Sequence, residues 1–266
     1  MVNNPFFGVL PVTTSRGAQP TIQRRNLIIP YPHFSGLTRA QQSLGESWYH
    51  SVQFKLEQRF RSGLTYLVSY TVSKTMEAVG FLNPQNPLPS RELTVFDTPQ
   101  RLVLSGFYEF PIGPKKKWLS SGLMSRVVGG WQANWVSVTQ SGTPMSYPDY
   151  YVLGNPKLSS GQTLNRWFDT TRTLWGQRPA DTLRTTPLRS PNIRRHTAPQ
   201  LDLSLNRDFH IREGHRAQFR VSAYNATNTP IFNFPTTDPA SPLFGVVPIT
   251  QINPSRSVEL AFRYFF

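Results

Sequence analysis

Polar and apolar positions alternate with a period of two along most of this chain. In residues 48–60, WYHSVQFKLEQRF, the side chains of Trp48, His50, Val52, Phe54, Leu56 and Phe60 fall on one side. Tyr49, Ser51, Gln53, Lys55, Glu57 and Arg59 fall on the other. A strand sorts these residues and a helix does not. Arg61-Ser62-Gly63 reads as a tight turn. Beyond it, Leu64, Tyr66, Val68, Tyr70 and Val72 alternate with Thr65, Ser69, Thr71 and Ser73. The result is a hairpin with arms of about ten residues or more, longer than the usual soluble strand and long enough for a tilted outer-membrane strand.

The same pattern predicts five further strands. Leu102, Leu104, Gly106, Tyr108 and Phe110 alternate with Arg101, Ser105 and Glu109. Residues 131–140, WQANWVSVTQ, alternate less cleanly and leave their outward face open. Leu201, Leu203, Leu205 and Phe209 alternate with Asp202, Ser204, Asn206 and Asp208. Ala217, Phe219, Val221 and Ala223 alternate with Gln218, Arg220, Ser222 and Tyr224. Val258, Leu260, Phe262, Tyr264 and Phe266 alternate with Ser257, Glu259 and Arg263. Connections near 61–63, 111–126 and 212–215 are read as short, and those near 78–98, 141–199 and 229–254 as long. Short and long take turns, as expected of an outer-membrane barrel with short periplasmic turns and long extracellular loops. Trp48, Tyr49, Phe60, Tyr108, Phe110, Trp131 and Tyr264 lie near strand ends, where such barrels carry aromatic girdles.

The expected fold is therefore all-β: a portion of an antiparallel transmembrane β-barrel with about seven long strands. Single-chain bacterial barrels have an even strand number, so an odd count is not expected to close by itself. Residues 1–47 read as an extracellular loop segment rich in Pro, Gly and Asn, and 48–266 as barrel strands. The opening residues, MVNNPFFG, carry no signal-peptide pattern. The expectation is that the chain is the C-terminal part of a longer barrel.

Composition narrows the field. The 266 residues include no Cys, which excludes disulfides and thiolate metal sites. No apolar run approaches the roughly 18 residues of a membrane helix. Lys and Arg number 28 against 14 Asp and Glu, so the net charge of +14 calls for an explanation. Lys115-Lys116-Lys117 reads as a solvated turn in preference to a nucleic-acid patch. Loop 141–199 combines Lys157 and seven Arg with Tyr147, Tyr150, Tyr151, Trp167, Phe168 and Trp175. Arg and aromatics together suit anionic or sugar-like ligands, and Tyr150, Tyr151, Arg166, Trp167, Arg172 and Trp175 are the candidate contacts. The competing reading is that these Arg solvate the loop or meet the anionic outer leaflet.

No phosphate-binding loop or nucleophile elbow is present in the sequence. Asp149, Asp169 and Asp181 are scattered, and His210 and His215 flank a turn at the wrong spacing for a zinc helix. Asn225-Ala226-Thr227 matches a glycosylation acceptor by tripeptide alone. No catalytic group, metal or cofactor is expected, and no nucleic-acid partner.

Several stretches carry a family resemblance. They are NPFFG (4–8), IIPYPHFSG (28–36), SWYHSVQFKLEQRFRSGLTYLVSYTVSKTME (47–77), FLNPQNP (81–87), FDTPQRLVLSGFYEFPIG (96–113), GGWQ (129–132), LNRWFD (164–169), LDLSLNRDFHI (201–211) and FRVSAYNATNTPIF (219–232). In this order and spacing the chain resembles the C-terminal barrel portion of TonB-dependent outer-membrane receptors, in particular the Oar-like group. The resemblance implies a plugged barrel of about 22 strands in the outer membrane of a Gram-negative bacterium. It implies energised uptake or binding of a large nutrient, with carbohydrate one candidate. It also makes the terminal aromatics Phe262, Tyr264 and Phe266 a signal for the barrel assembly machinery. The partners implied are outer-membrane lipid, that machinery, and TonB through an N-terminal region this chain lacks. The alternative is a self-contained secreted or surface β-rich binding protein, adhesin-like, whose eighth strand would come from residues 21–29.

Overall fold

The computed structural model describes residues 1–34, 36, 43–114, 116–179 and 182–266. Lys115 and Asp181, singled out above, lie outside the described residues. The chain forms two compact units, Met1–Ser43 and Leu44–Phe266. In the first, Val2–Asn3 pairs antiparallel with Thr21–Ile22, and Arg24–Leu27 forms one turn of 3-10 helix. Asn4 Nδ2 ties the intervening turns by donating to the carbonyls of Arg16 and Gln19, both at 2.7 Å. Residues 21–29 therefore do not supply an eighth barrel strand.

The second unit is built on seven long strands: β1 (Glu46–Arg61), β2 (Leu64–Ala78), β3 (Gln100–Glu109), β4 (Trp131–Gln140), β5 (Gln200–Arg212), β6 (His215–Tyr224) and β7 (Ser257–Phe265). Each pairs antiparallel with the next in chain order, and among the described residues only the short piece Glu92–Leu93 joins the sheet out of sequence, on β2. Among the described residues the sheet does not close: β1 has only β2 beside it and β7 only β6. Ser62 and Gly63, with φ of 52° and 86°, turn β1 into β2. Two central residues at positive φ are what a tight hairpin between right-twisted strands requires.

The register assigns each face. Opposed residues share a face, and the pairs Phe54–Tyr70, Tyr70–Leu102, Gly106–Trp135, Trp135–Leu203, Leu203–Ala223 and Ala223–Val258 carry one apolar surface across all seven strands. This resolves the ambiguous β4: Trp131, Ala133 and Trp135 face the apolar side, and Asn134 faces the other. Gly106 lets the Trp135 ring lie flat across it, because a Cβ there would come within 2.5 Å of that ring and of the Thr65 carbonyl.

The opposite face is polar. Asn134 Nδ2 donates to Asn206 Oδ1 at 2.6 Å, and Asn206 Nδ2 donates to Gln132 Oε1 at 3.1 Å. Gln218 donates to Asp208 at 3.0 Å, and Arg220 Nε to Ser222 Oγ at 3.0 Å. Two of the expected girdle aromatics belong to this side. Tyr49 opposes Thr75, next to Trp48 but across the pleat. Phe60 follows a register shift between Gln58 and Arg61, and its ring stacks on Phe107 of the polar face at 6.0 Å. A bulge inserts one residue and flips the alternation, which a strict period of two does not foresee.

The connection at 111–126, expected to be a short turn, is a folded element. It runs through residues 110–130 and contains the helix α1 (Gly122–Val128). Gly113 and Gly129 cross at its neck, where a Cβ on Gly129 would lie 2.3 Å from the Gly113 Cα.

Candidate functional site: a folded cap of loops on one rim

The three long connections lie at one rim of the sheet and fold against one another. Loop 141–199 has a hydrophobic core of its own. Met145 and Phe168 are fully buried, with Tyr147, Trp175 and Ile193 beside them and Phe234 and Phe244 of the third long connection packed on top. Short antiparallel pieces frame this core: Pro144–Ser146 against Arg189–Arg194, and Tyr150–Val152 against Trp175–Gln177. Trp175 packs at 5.4 Å from Phe168 and 5.1 Å from Phe244. Its indole N–H donates to the Asp169 carbonyl at 2.8 Å.

Charged groups tie the loops to the strands. Asn83 accepts from the Arg184 amide at 2.7 Å and donates to the Arg184 carbonyl at 3.0 Å. Arg189 bridges Glu77 at 2.9 Å and Glu92 at 3.3 Å, and it donates to the Leu93 carbonyl at 2.8 Å. Arg194 pairs with the buried Asp97 at 2.7 Å and donates to the Asp97 and Gly142 carbonyls. Asp97 also accepts from the Thr75 amide at the top of β2 at 2.8 Å. The third connection joins through Trp167 N–H to the Gly245 carbonyl at 2.9 Å and Val247 N–H to the Leu164 carbonyl at 2.7 Å.

Titration properties follow from these contacts. Burial pushes the Glu92 carboxyl up, against the pull of Arg189. Hydrogen bonding from Arg178 holds the Asp149 carboxyl down, and hydrogen bonding from Thr171 holds Asp169 down. Burial lowers His196 and raises the Tyr147 phenol. The described carboxylates of loop 141–199, Asp149 and Asp169, are each engaged by arginine: Asp149 with Arg178 at 2.6 Å and Asp169 with Arg166 at 3.6 Å. Much of the loop's positive charge is thus used in holding the cap together.

The candidate ligand residues separate accordingly. Tyr150, Arg172 and Trp175 line one cleft of about 480 Å³, together with Gln177, Thr170 and Ser241. Tyr151 lies on the opposite side of its strand and donates its hydroxyl to Thr182 Oγ1 at 2.8 Å and to the Leu183 carbonyl at 3.1 Å. Trp167 lines a different cleft of about 340 Å³, with Lys157 and Arg195, and its indole N–H donates to the Arg194 carbonyl at 2.7 Å. Arg166 reaches Asp169 at the surface. A third cleft of about 370 Å³, lined by Lys74, Met76, Arg91, Leu93 and Arg194, sits where β2 meets the cap. Sequence reading missed it, because its residues are far apart in the chain and belong to both strand and loop.

Other motifs have structural roles. Asn225 sits at φ 48° and is buried; its amide accepts from Thr229 N–H and donates to the Pro254 carbonyl. His215 Nδ1 is 2.7 Å from the Tyr264 hydroxyl. Lys116 pairs with Glu109 at 2.9 Å.

Comparison with curated proteins gives no match, and comparison with solved structures gives none. The family model described as an outer membrane beta barrel domain matches residues 2–259. That family places the apolar face of the sheet against lipid and points to the outer membrane of a Gram-negative bacterium. With successive connections falling at alternate rims and one face apolar across the seven described strands, the chain belongs to the outer membrane beta barrel domain family.

Proposed function

We propose that this chain is the C-terminal barrel portion of a TonB-dependent outer-membrane receptor, which takes up or binds a large nutrient by energy coupled through TonB. The observation that carries the reading is the open sheet. Unpaired strand edges are not tolerated in hydrocarbon, where each backbone polar group needs a partner. Seven strands also fall short of the smallest bacterial barrels. Both β1 and β7 therefore need further strands, which on this reading belong to the same polypeptide. The polar face of the sheet would line the lumen, around the plug. The terminal aromatics Phe262, Tyr264 and Phe266 would serve the assembly machinery.

The cap supports a binding role. The cleft that gathers Tyr150, Arg172, Trp175 and Gln177 offers an aromatic surface beside planar hydrogen-bonding groups, a combination suited to carbohydrate or anionic ligands. The role proposed is recognition and transport, not catalysis.

An immunoblot of fractionated envelopes tests the proposal, using antibodies raised against loop 141–199. The expected result is a heat-modifiable outer-membrane band far above the 30.3 kDa of this chain, cross-linkable to the periplasmic domain of TonB. A soluble band at the mass of the chain, with cooperative melting, overturns it.

A further inference from the structure

We infer that the connection between β3 and β4 is an interfacial anchor, seated in the headgroup region of the periplasmic, phospholipid leaflet of the outer membrane. The inference rests on family membership and the lipid-facing surface, and it holds whether or not transport is energised.

The segment presents apolar side chains outward. In α1, Leu123, Met124 and Val127 are 80%, 60% and 64% exposed. They lie at i, i+1 and i+4, on one side of the helix, while Ser125 on another side is buried. Trp118 and Leu119 just before the helix are 58% and 50% exposed. Such a cluster does not belong in water. It is also not a loose strand end. Trp118 N–H donates to the Pro111 carbonyl and Gly113 N–H to the Trp118 carbonyl, both at 3.0 Å. Gly129 N–H closes the helix on Ser125, and Gly130 N–H returns to Ile112. The backbone is held by its own hydrogen bonds and by the glycine crossing, so these side chains are displayed by a built scaffold.

Its position identifies the occupant. The segment lies at the rim that carries the Ser62–Gly63 turn, opposite the cap. It continues the lipid-facing surface: Tyr108 and Phe110 lead into it and pack edge to face at 5.5 Å. Trp131 leaves it and meets Phe219 at 6.3 Å. Arg207, opposite Trp131 in the register and on the same face, donates to the Val127 carbonyl. The helix is thus coupled to the lipid-facing wall itself. Charge completes the match. Lys117 is exposed beside Trp118. Trp flanked by Lys at an apolar boundary is the arrangement that sits at a membrane–water interface. A short amphipathic helix with basic flanks lies in that plane.

These 266 residues contain no cysteine, so a label placed in them reports from one site once any cysteine elsewhere in the longer polypeptide is replaced by serine. The full-length protein carrying Leu123→Cys, or Val127→Cys, is labelled with a nitroxide in isolated outer membranes. Both parent residues are well exposed, so neither change disturbs packing. Ser120→Cys on the polar approach is the reference site. Collision with oxygen and with a water-soluble nickel chelate is read by electron paramagnetic resonance. The expected result is oxygen access exceeding nickel access at 123 and 127, and the reverse at 120. Equal aqueous access at all three sites overturns the inference. So does an immobilised spectrum closed to both reagents, which would mean that protein covers the helix.

Discussion

Removing the guanidinium of Arg194 should loosen the cap more than any other single surface change. Arg194 sits at the end of the Arg189–Arg194 strand and offers two nitrogens to three acceptors: the Asp97 carboxylate at 2.7 Å, the Asp97 carbonyl at 2.9 Å and the Gly142 carbonyl at 3.1 Å. Asp97 is 1% exposed, so in Arg194→Met its carboxylate stays buried without a countercharge. Breaking a buried pair from one side costs about 3–5 kcal/mol. Arg194 keeps 19% side-chain exposure, which places the cost near the lower end, about 3 kcal/mol. At 1.4 kcal/mol per factor of ten, that is roughly a hundredfold faster local opening. Hydrogen–deuterium exchange reads it at the Asp97 and Arg195 amides, which donate to Thr94 and Thr143. The double variant Arg194→Met, Asp97→Asn should recover much of the loss, because the stranded charge is gone. Exchange within about threefold of the parent, or a double variant whose cost is the sum of the singles, would refute the reasoning.

Four further outcomes are expected. Phe168→Ala empties the centre of the cap core and should cost about 3–5 kcal/mol of local stability, read as faster protease nicking within 141–199 on intact cells. Gly106→Val forces a Cβ into the Thr65 carbonyl and the Trp135 ring; a cost of about 1–3 kcal/mol should appear as less heat-modifiable protein in the membrane. Burial raises the Glu92 carboxyl above its ordinary 4.5, so its protonated form favours the folded loop. That contribution is complete below 4.5 and is lost as pH rises through the raised value, and Glu92→Gln should flatten the dependence in pH-corrected exchange at residues 92–94. Asp149 has the opposite sign: its carboxyl is held below the ordinary 3.8 by Arg178, so its contribution is present above 3.8 and fades as pH falls through the lowered value. Asp149→Asn should remove that acid loosening, followed by exchange at residues 149–152.

The strands were legible because a pleated chain with lipid on one side and polar groups on the other must alternate, and six of the seven segments do so cleanly. Register, sidedness and tight-turn glycine all follow from short-range rules, as the Ser62–Gly63 hairpin illustrates. Legibility ended where the rule changes locally. The bulge before Arg61 moves Phe60 across the sheet, and no composition signal marks it. Trp135 could be assigned a face only by its neighbours Gly106 and Leu203, since its own strand mixes polar and apolar residues on both sides. The helix at Gly122–Val128 is too short for a periodicity to stand out.

The candidate site was half visible. Arg and aromatic residues crowd loop 141–199, and sequence identifies that chemistry without assigning its use. Only the folded cap decides that Arg178, Arg184, Arg189 and Arg194 spend their charge on Asp149, Glu77, Glu92 and Asp97, while Arg172 opens onto a cleft with Tyr150. These partners lie up to 112 positions apart, and pairing over such distances depends on which loops the sheet brings to one rim. Period-two patterning is a local property of the backbone and is written in the chain. The distribution of charge between structure and ligand is a property of three-dimensional neighbours, and the tertiary structure alone settles it.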